Sequence, residues 1–152
     1  MRSRFDEQLA LLNKEMIEMG ALCEEVIALA SKALTEADPE LAKRVAPLDA
    51  EIDQKERNIE SLCLKLLLQQ QPVARDLRQI SAALKMVTDL QRIGDQCANI
   101  AEISLLLDSQ TGSQAMKDIR AMSQKAGVMV KRAIFAYANR DTGAAHAVVD
   151  LD

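Results

Sequence analysis

An all-α fold, a long antiparallel helical bundle, is what this chain predicts, and three observations carry that expectation. The composition favours helix: of 152 residues only 5 are Gly and 3 are Pro, aromatics make up 2%, and 49% are apolar, enough for a real core. Apolar residues recur at alternating steps of four and three through most of the chain, the period of a bundle seam. Breakers separate those periodic stretches at Asp38-Pro39, at Pro72 and in the run DSQTGS of residues 108–113.

The first helix is predicted from Asp6 to Ala37, with Phe5, Leu9, Leu12, Met16, Met19, Cys23, Val26, Ala30 and Ala33 on one unbroken seam. Asp38 then serves as N-cap and Pro39 as the first residue of the second helix, where a missing N–H costs nothing. That helix continues through Leu41, Val45, Leu48, Ile52, Lys55, Ile59, Leu62 and Leu66, with Lys55 as its polar break. Beside this seam Asp49, Asp53, Glu56 and Glu60 form an acidic stripe, a pattern a solvated face also produces.

Gln69-Gln70-Gln71-Pro72 reads as a turn, and a third helix follows from Val73 to Leu107 with Leu77, Ile80, Leu84, Val87, Gln91, Gly94, Ala98, Ala101 and Leu105 on its seam. Gln91 and Gly94 are the anomalies there. Glycine inside a helix costs about 1 kcal/mol relative to alanine, so it marks a close approach or a site needing room. After the loop Asp108 to Ser113, a fourth helix spans Gln114 to Asn139, its seam Ile119, Met122, Ala126, Met129, Ala133 and Ala136. Met16, Met19, Met122 and Met129 all fall on seams and are expected in the core.

An internal repeat appears at an offset of 103 residues, pairing Met19 with Met122, Ala30 with Ala133, Ala33 with Ala136, Asp38 with Asp141, Ala42 with Ala145 and Asp49 with Asp152. It divides the chain into a three-helix bundle over residues 1–108 and, over 114–152, the start of a second unit: the fourth helix and a stub of a fifth. The open seam of the fourth helix is then expected to be covered by self-association or by folding back on the first bundle.

The formal charge of −4 argues against nucleic acid, whose phosphates demand a basic surface. The start MRSRFDEQ lacks the apolar core of a signal peptide, and no run approaches the roughly 18 apolar residues of a membrane span. Cys23, Cys63 and Cys97 are odd in number and widely spaced, which points to buried thiols in a reducing cytoplasm rather than to a disulfide framework. His146 has no Cys or Ser partner nearby and reads as an exposed helical residue.

The chemistry concentrates around Pro72. Asp49 and Asp53 lie 23 and 19 residues before it, and Asp95 and Gln91 lie 23 and 19 residues after it. If Pro72 marks the tip of an antiparallel hairpin, both pairs stand at matching heights, and i,i+4 spacing puts each pair on one helix face. Asp49, Asp53, Gln91 and Asp95 are therefore candidate metal ligands. Oxygen donors without His or Cys suit hard cations such as Mg²⁺, Mn²⁺, Ca²⁺ or iron rather than structural zinc; which of Fe, Mg, Mn, Zn and Ca binds is not distinguishable. The plainer account makes these acids surface groups balanced by Lys55, Arg57 and Arg92. Arg75, Arg78, Lys85 and Arg92 form a candidate partner-binding surface, since Arg forks match phosphate or an acidic partner.

The segments Pro72-Val73-Ala74, Asp76-Leu77-Arg78, Leu84-Lys85, Asp89-Leu90, Arg92-Ile93-Gly94-Asp95 and Asn99-Ile100-Ala101 resemble the PhoU family of phosphate-signalling regulators, as does Asp49-x-x-Ile52-Asp53-x-x-Glu56. The resemblance implies a bundle of two similar three-helix units carrying paired acidic motifs that can bind metal, multinuclear iron included. Here the first motif is intact as Asp49 to Asp53, while the second, Gln91 to Asp95, has glutamine where the family usually has glutamate, which predicts weaker or absent metal binding. It further implies a cytoplasmic, non-enzymatic regulator that couples a phosphate ABC transporter ATPase to a sensor histidine kinase and represses starvation genes. A homo-oligomer, at most peripheral to the membrane, completes the expectation. The competing class is a carboxylate-based metal store or enzyme.

Overall fold

Six helices, and no strand among the described residues, make up the computed structural model, which describes residues 2–69, 72–107 and 112–152. They are α1 (Arg2–Thr35), α2 (Pro39–Lys43), α3 (Val45–Gln69), α4 (Ala74–Leu106), α5 (Gln114–Ala138) and α6 (Thr142–Val149). The expected turn at Gln69 to Pro72 and the loop at Asp108 to Ser113 fall partly outside the described residues.

The second helix predicted as continuous is instead two. Pro47 lies in the first turn of α3; it has no N–H to give Lys43, and its ring would crowd that carbonyl, so the chain breaks at Arg44. Asp38 caps α2 as expected, its side chain accepting from Glu40 N at 3.0 Å. The same turn recurs at the end of α5. Ala37 and Arg140 adopt left-handed φ values of 50° and 51°, each followed by an extended aspartate that caps the next helix. The repeat at offset 103 is thus present in backbone geometry as well as in sequence.

α1 is the central element, packing against α3 and α4 on one side and α5 on another. All nine residues of its predicted seam, from Phe5 to Ala33, are buried. Full burial of one large apolar side chain is worth about 1.5–3 kcal/mol, so this seam anchors the bundle. Gly20 lets α5 close in: a Cβ there would lie 2.6 Å from Ile134 Cγ1. Ser123 Oγ also donates to Ser31 Oγ at 2.7 Å across the α1–α5 contact.

Two predicted seams are displaced by one residue at alternate positions. Along α2 and α3 the buried line is Ala42, then Val45, Ile52, Ile59, Cys63 and Leu66, with half-buried Asp49 and Glu56 in register, so the polar break is these two acids rather than Lys55. On α4 it runs through Asp76, Ile80, Ala83, Val87, Leu90, Gly94, Cys97 and Ala101, leaving Leu77 and Leu105 exposed and Gln91 beside the core. Each helix packs against more than one neighbour and so needs a wide apolar face, which makes two adjacent heptad lines equally plausible from sequence.

On α5 the core side chains are Val130 and Ile134, and of the predicted seam only Ala136 is buried. Met122, expected in the core, is 69% exposed. All six predicted seam residues line open grooves between α4 and α5.

Candidate metal centre

The α3–α4 hairpin brings together the four residues that the sequence placed at equal heights. One carboxylate oxygen each from Asp49, Asp53 and Asp95 lies within 4.8 Å of the other two. Gln91 joins them from α4: its Nε2 donates to Asp53 Oδ1 at 3.1 Å and to Asp95 Oδ2 at 2.8 Å. The amide thus holds one acid from each helix.

Gly94 makes room for the cluster. A Cβ at this position would lie 2.7 Å from Asp49 Oδ1 and 3.2 Å from Ile52 Cδ1, so any larger residue forces the carboxylate or the core aside. Asp49 Oδ1 is itself buried and forms no hydrogen bond. Leaving a charged oxygen in that state is costly unless a cation or proton compensates it.

The electrostatics agree with that geometry. Burial first, and then the neighbouring Asp53 and Asp95 charges, raise the pKa of Asp49. Burial, followed by Glu60, Asp53 and Asp95, raises that of Glu56 one turn along. Burial and the acids around them thus hold Asp49 and Glu56 back from ionising.

The cations that could have neutralised these acids are engaged elsewhere. Lys55 turns to α1, where it binds Glu15 Oε2 at 2.7 Å and also reaches Glu18. Arg57 donates to Gln54 Oε1 at 2.9 Å, and Arg92 lies 3.8 Å from Asp89. None of the three forms an ion pair with Asp49, Asp53 or Asp95 among the described residues, although the Arg57 charge reaches Glu56 and works against the rise in its pKa.

Three carboxylates and an amide form an oxygen donor set that fits a hard cation. Gln91 would contribute Oε1 rather than Nε2, so its amide must turn over from the orientation described above. Cys97 lies close enough to Asp49 for that charge, added to burial, to push its thiol up to about 11, which disfavours thiolate ligation.

The predicted arginine surface is divided. Arg75 and Arg78 line one groove beside α5, Arg92 lines a second, and Lys85 is exposed between them. Arg140, absent from the expected surface, joins Arg75 and Arg78 in lining the first groove; no sequence signal links it to them. Cys23, Cys63 and Cys97 are buried free thiols, and His146 is exposed on α6.

Residues 16–104 match the family model described as the PhoU domain. The chain is 35% identical over 151 residues to a phosphate-specific transport system accessory protein PhoU homolog of Synechocystis, covering 99% of this chain and 67% of the relative. A Pseudomonas putida homolog of the same name is 35% identical over 98% of this chain and 59% of its own length. Among solved structures, the crystal structure of PhoU from Pseudomonas aeruginosa superposes with a TM-score of 0.87 at 33% identity, covering 94% of this chain and 69% of that one. The chain thus spans about three fifths to two thirds of the length of these relatives.

Proposed function

The chain belongs to the PhoU family, and from that membership we propose that it is an accessory regulator of phosphate uptake and phosphate-starvation signalling, acting by protein contact rather than catalysis. The transport half of this reading is supported by the name its relatives carry. The signalling half rests on the family resemblance of the PVARDLR and RIGD segments. In this reading the helical faces meet a phosphate ABC transporter ATPase and a sensor histidine kinase on the cytoplasmic side of the membrane. The protein works as a homo-oligomer, with residues 1–108 as a first unit and 114–152 as the start of a second.

One observation carries the proposed cofactor: Asp49, Asp53 and Asp95 converge across the hairpin, none of them ion-paired among the described residues and with Asp49 Oδ1 unsatisfied. A divalent metal or iron bound there would supply the missing positive charge. The protein's own part is to hold α3 against α4 at fixed height, so that the hairpin presents one rigid face to a partner at low ordering cost. A metal store or a di-iron enzyme would want a carboxylate at position 91 and histidine ligands, and this hairpin offers an amide and no histidine.

The reading is tested in a strain lacking this gene that carries a phosphate-starvation reporter. Constitutive expression at high phosphate, restored to repression by the wild-type gene, is the expected result. A reporter that still responds normally to phosphate without the gene would refute the regulatory role.

A further inference from the structure

The flank of α4 turned away from α3 carries a second concentration of charge, of opposite sign. A groove of about 570 Å³ lies there among α4, the end of α5 and α6. Arg75 and Arg78 line it from α4 and Arg140 from the α5–α6 turn, and none of the three is ion-paired among the described residues. One acid lines the groove among the described residues, Asp141, whose Oδ1 caps α6 by accepting from Ala144 N at 2.9 Å; its single charge leaves the three arginines in excess.

One of these cations is held in place. The Arg140 guanidinium donates to Gln79 Oε1, and Gln79, only 7% exposed, donates in turn to Asn13 Oδ1 at 2.7 Å on α1. Beside it the Tyr137 hydroxyl is buried without a formed hydrogen bond, although the Gln79 amide lies close. Burial pushes that phenol up to about 12, so the hydroxyl keeps its proton at neutral pH and remains a donor.

We propose that this groove binds a dianionic tetrahedral oxyanion, phosphate or a phosphate monoester, through Arg75, Arg78 and Arg140 with the Tyr137 hydroxyl as a further donor. Guanidinium forks match such an ion in pairs of parallel hydrogen bonds, and its four oxygens take up more of these donors than the two of a carboxylate can. In a chain of net charge −4, three unpaired arginines around one groove are a local reversal of field that draws anions to this point. Ala82, Met86 and Ala133 form an apolar wall beside the cations, so an ester bearing an apolar group fits as well as the free ion. The two sources of the same chemistry, free phosphate and a lipid headgroup, are separated by experiment.

Titration calorimetry of the full 152-residue chain with sodium phosphate, at ionic strength matched by sodium chloride, tests the free ion. Sedimentation with vesicles of phosphatidic acid in phosphatidylcholine, against phosphatidylcholine alone, tests the headgroup. Saturable binding is expected in at least one arm. Loss of a charged hydrogen-bonding partner in Arg140→Gln should weaken it about tenfold or more. Arg75→Lys with Arg78→Lys, exposed positions where folding is not at risk, keeps the charge but removes the forks and should weaken binding several-fold. Absence of saturable binding in both arms overturns the site. So does full affinity in the double lysine variant, which would reduce the groove to diffuse charge.

Discussion

The two flanks of α4 pose opposite electrostatic problems on one helix. Toward α3, three aspartates crowd together and none of them is ion-paired among the described residues. Toward α5, three arginines share a groove in which Asp141 is the one acid among the described residues, so positive charge is in excess. A protein optimised only for stability would have paired such charges with each other. Placed instead in two clusters on opposite sides of α4, one shared with α3 and one with the α5–α6 turn, the two sets of charges do not pair with each other.

The flanks also differ in how tightly they are built, and glycine substitutions expose that difference. Gly94→Ala drives a Cβ into Asp49 and Ile52, so despite alanine's better helix propensity we expect a loss of about 1–3 kcal/mol in urea unfolding. Gly127→Ala on α5 meets nothing within 4 Å and should instead gain up to about 1 kcal/mol. Equal effects at the two positions would show that the α3–α4 interface is not the tight one.

Gln91→Glu sharpens the contrast next. It replaces the donor that joins Asp53 to Asp95 with a fourth carboxylate. Without metal the variant should melt several degrees lower, corresponding to about 1 kcal/mol, while its affinity for a divalent cation should rise. A higher melting temperature in metal-free buffer would mean that the acids do not repel.

A smaller effect follows from pH. The folded-state pKa values of Asp49 and Glu56 are raised, so the folded protein binds more protons than the unfolded chain just above the ordinary carboxylate range. Metal-free stability should therefore fall as pH rises from about 4 through the folded values, with cation affinity rising over the same interval. Asp49→Asn should flatten the stability profile. An unchanged slope in that variant would assign the dependence to other groups.

Much of this was legible in advance because it is local or periodic. The α1 seam from Phe5 to Ala33 and the Asp38 cap follow from spacing and turn chemistry. The meeting of Asp49 with Asp95 follows from counting residues either side of Pro72. The seams of α3 and α4 were placed one residue off at alternate positions because Leu48 and Asp49, or Leu77 and Asp76, present two adjacent lines, and only the neighbours in space choose between them. Spacing alone therefore puts Lys55 at the polar break, whereas Asp49 and Glu56 occupy the inner line. The break at Arg44 was readable from Pro47. The open side of α5 was not, since α1 takes Val130 and Ile134 rather than the line through Met122. Arg140 was invisible as a groove residue because its neighbours Arg75 and Arg78 lie more than sixty positions away in sequence.

The central claim, that the α3–α4 hairpin is a cation site, is tested most directly by metal analysis and native mass spectrometry of the purified protein. Wild type and the double variant Asp49→Ala, Asp53→Ala are compared after loading with Fe²⁺, Mn²⁺ or Mg²⁺. The wild type should retain at least one of these ions and the double variant should lose it, with both chains equally helical by circular dichroism. The same stoichiometric metal in both proteins, or saturable binding of none of the three ions by the wild type, would contradict the claim.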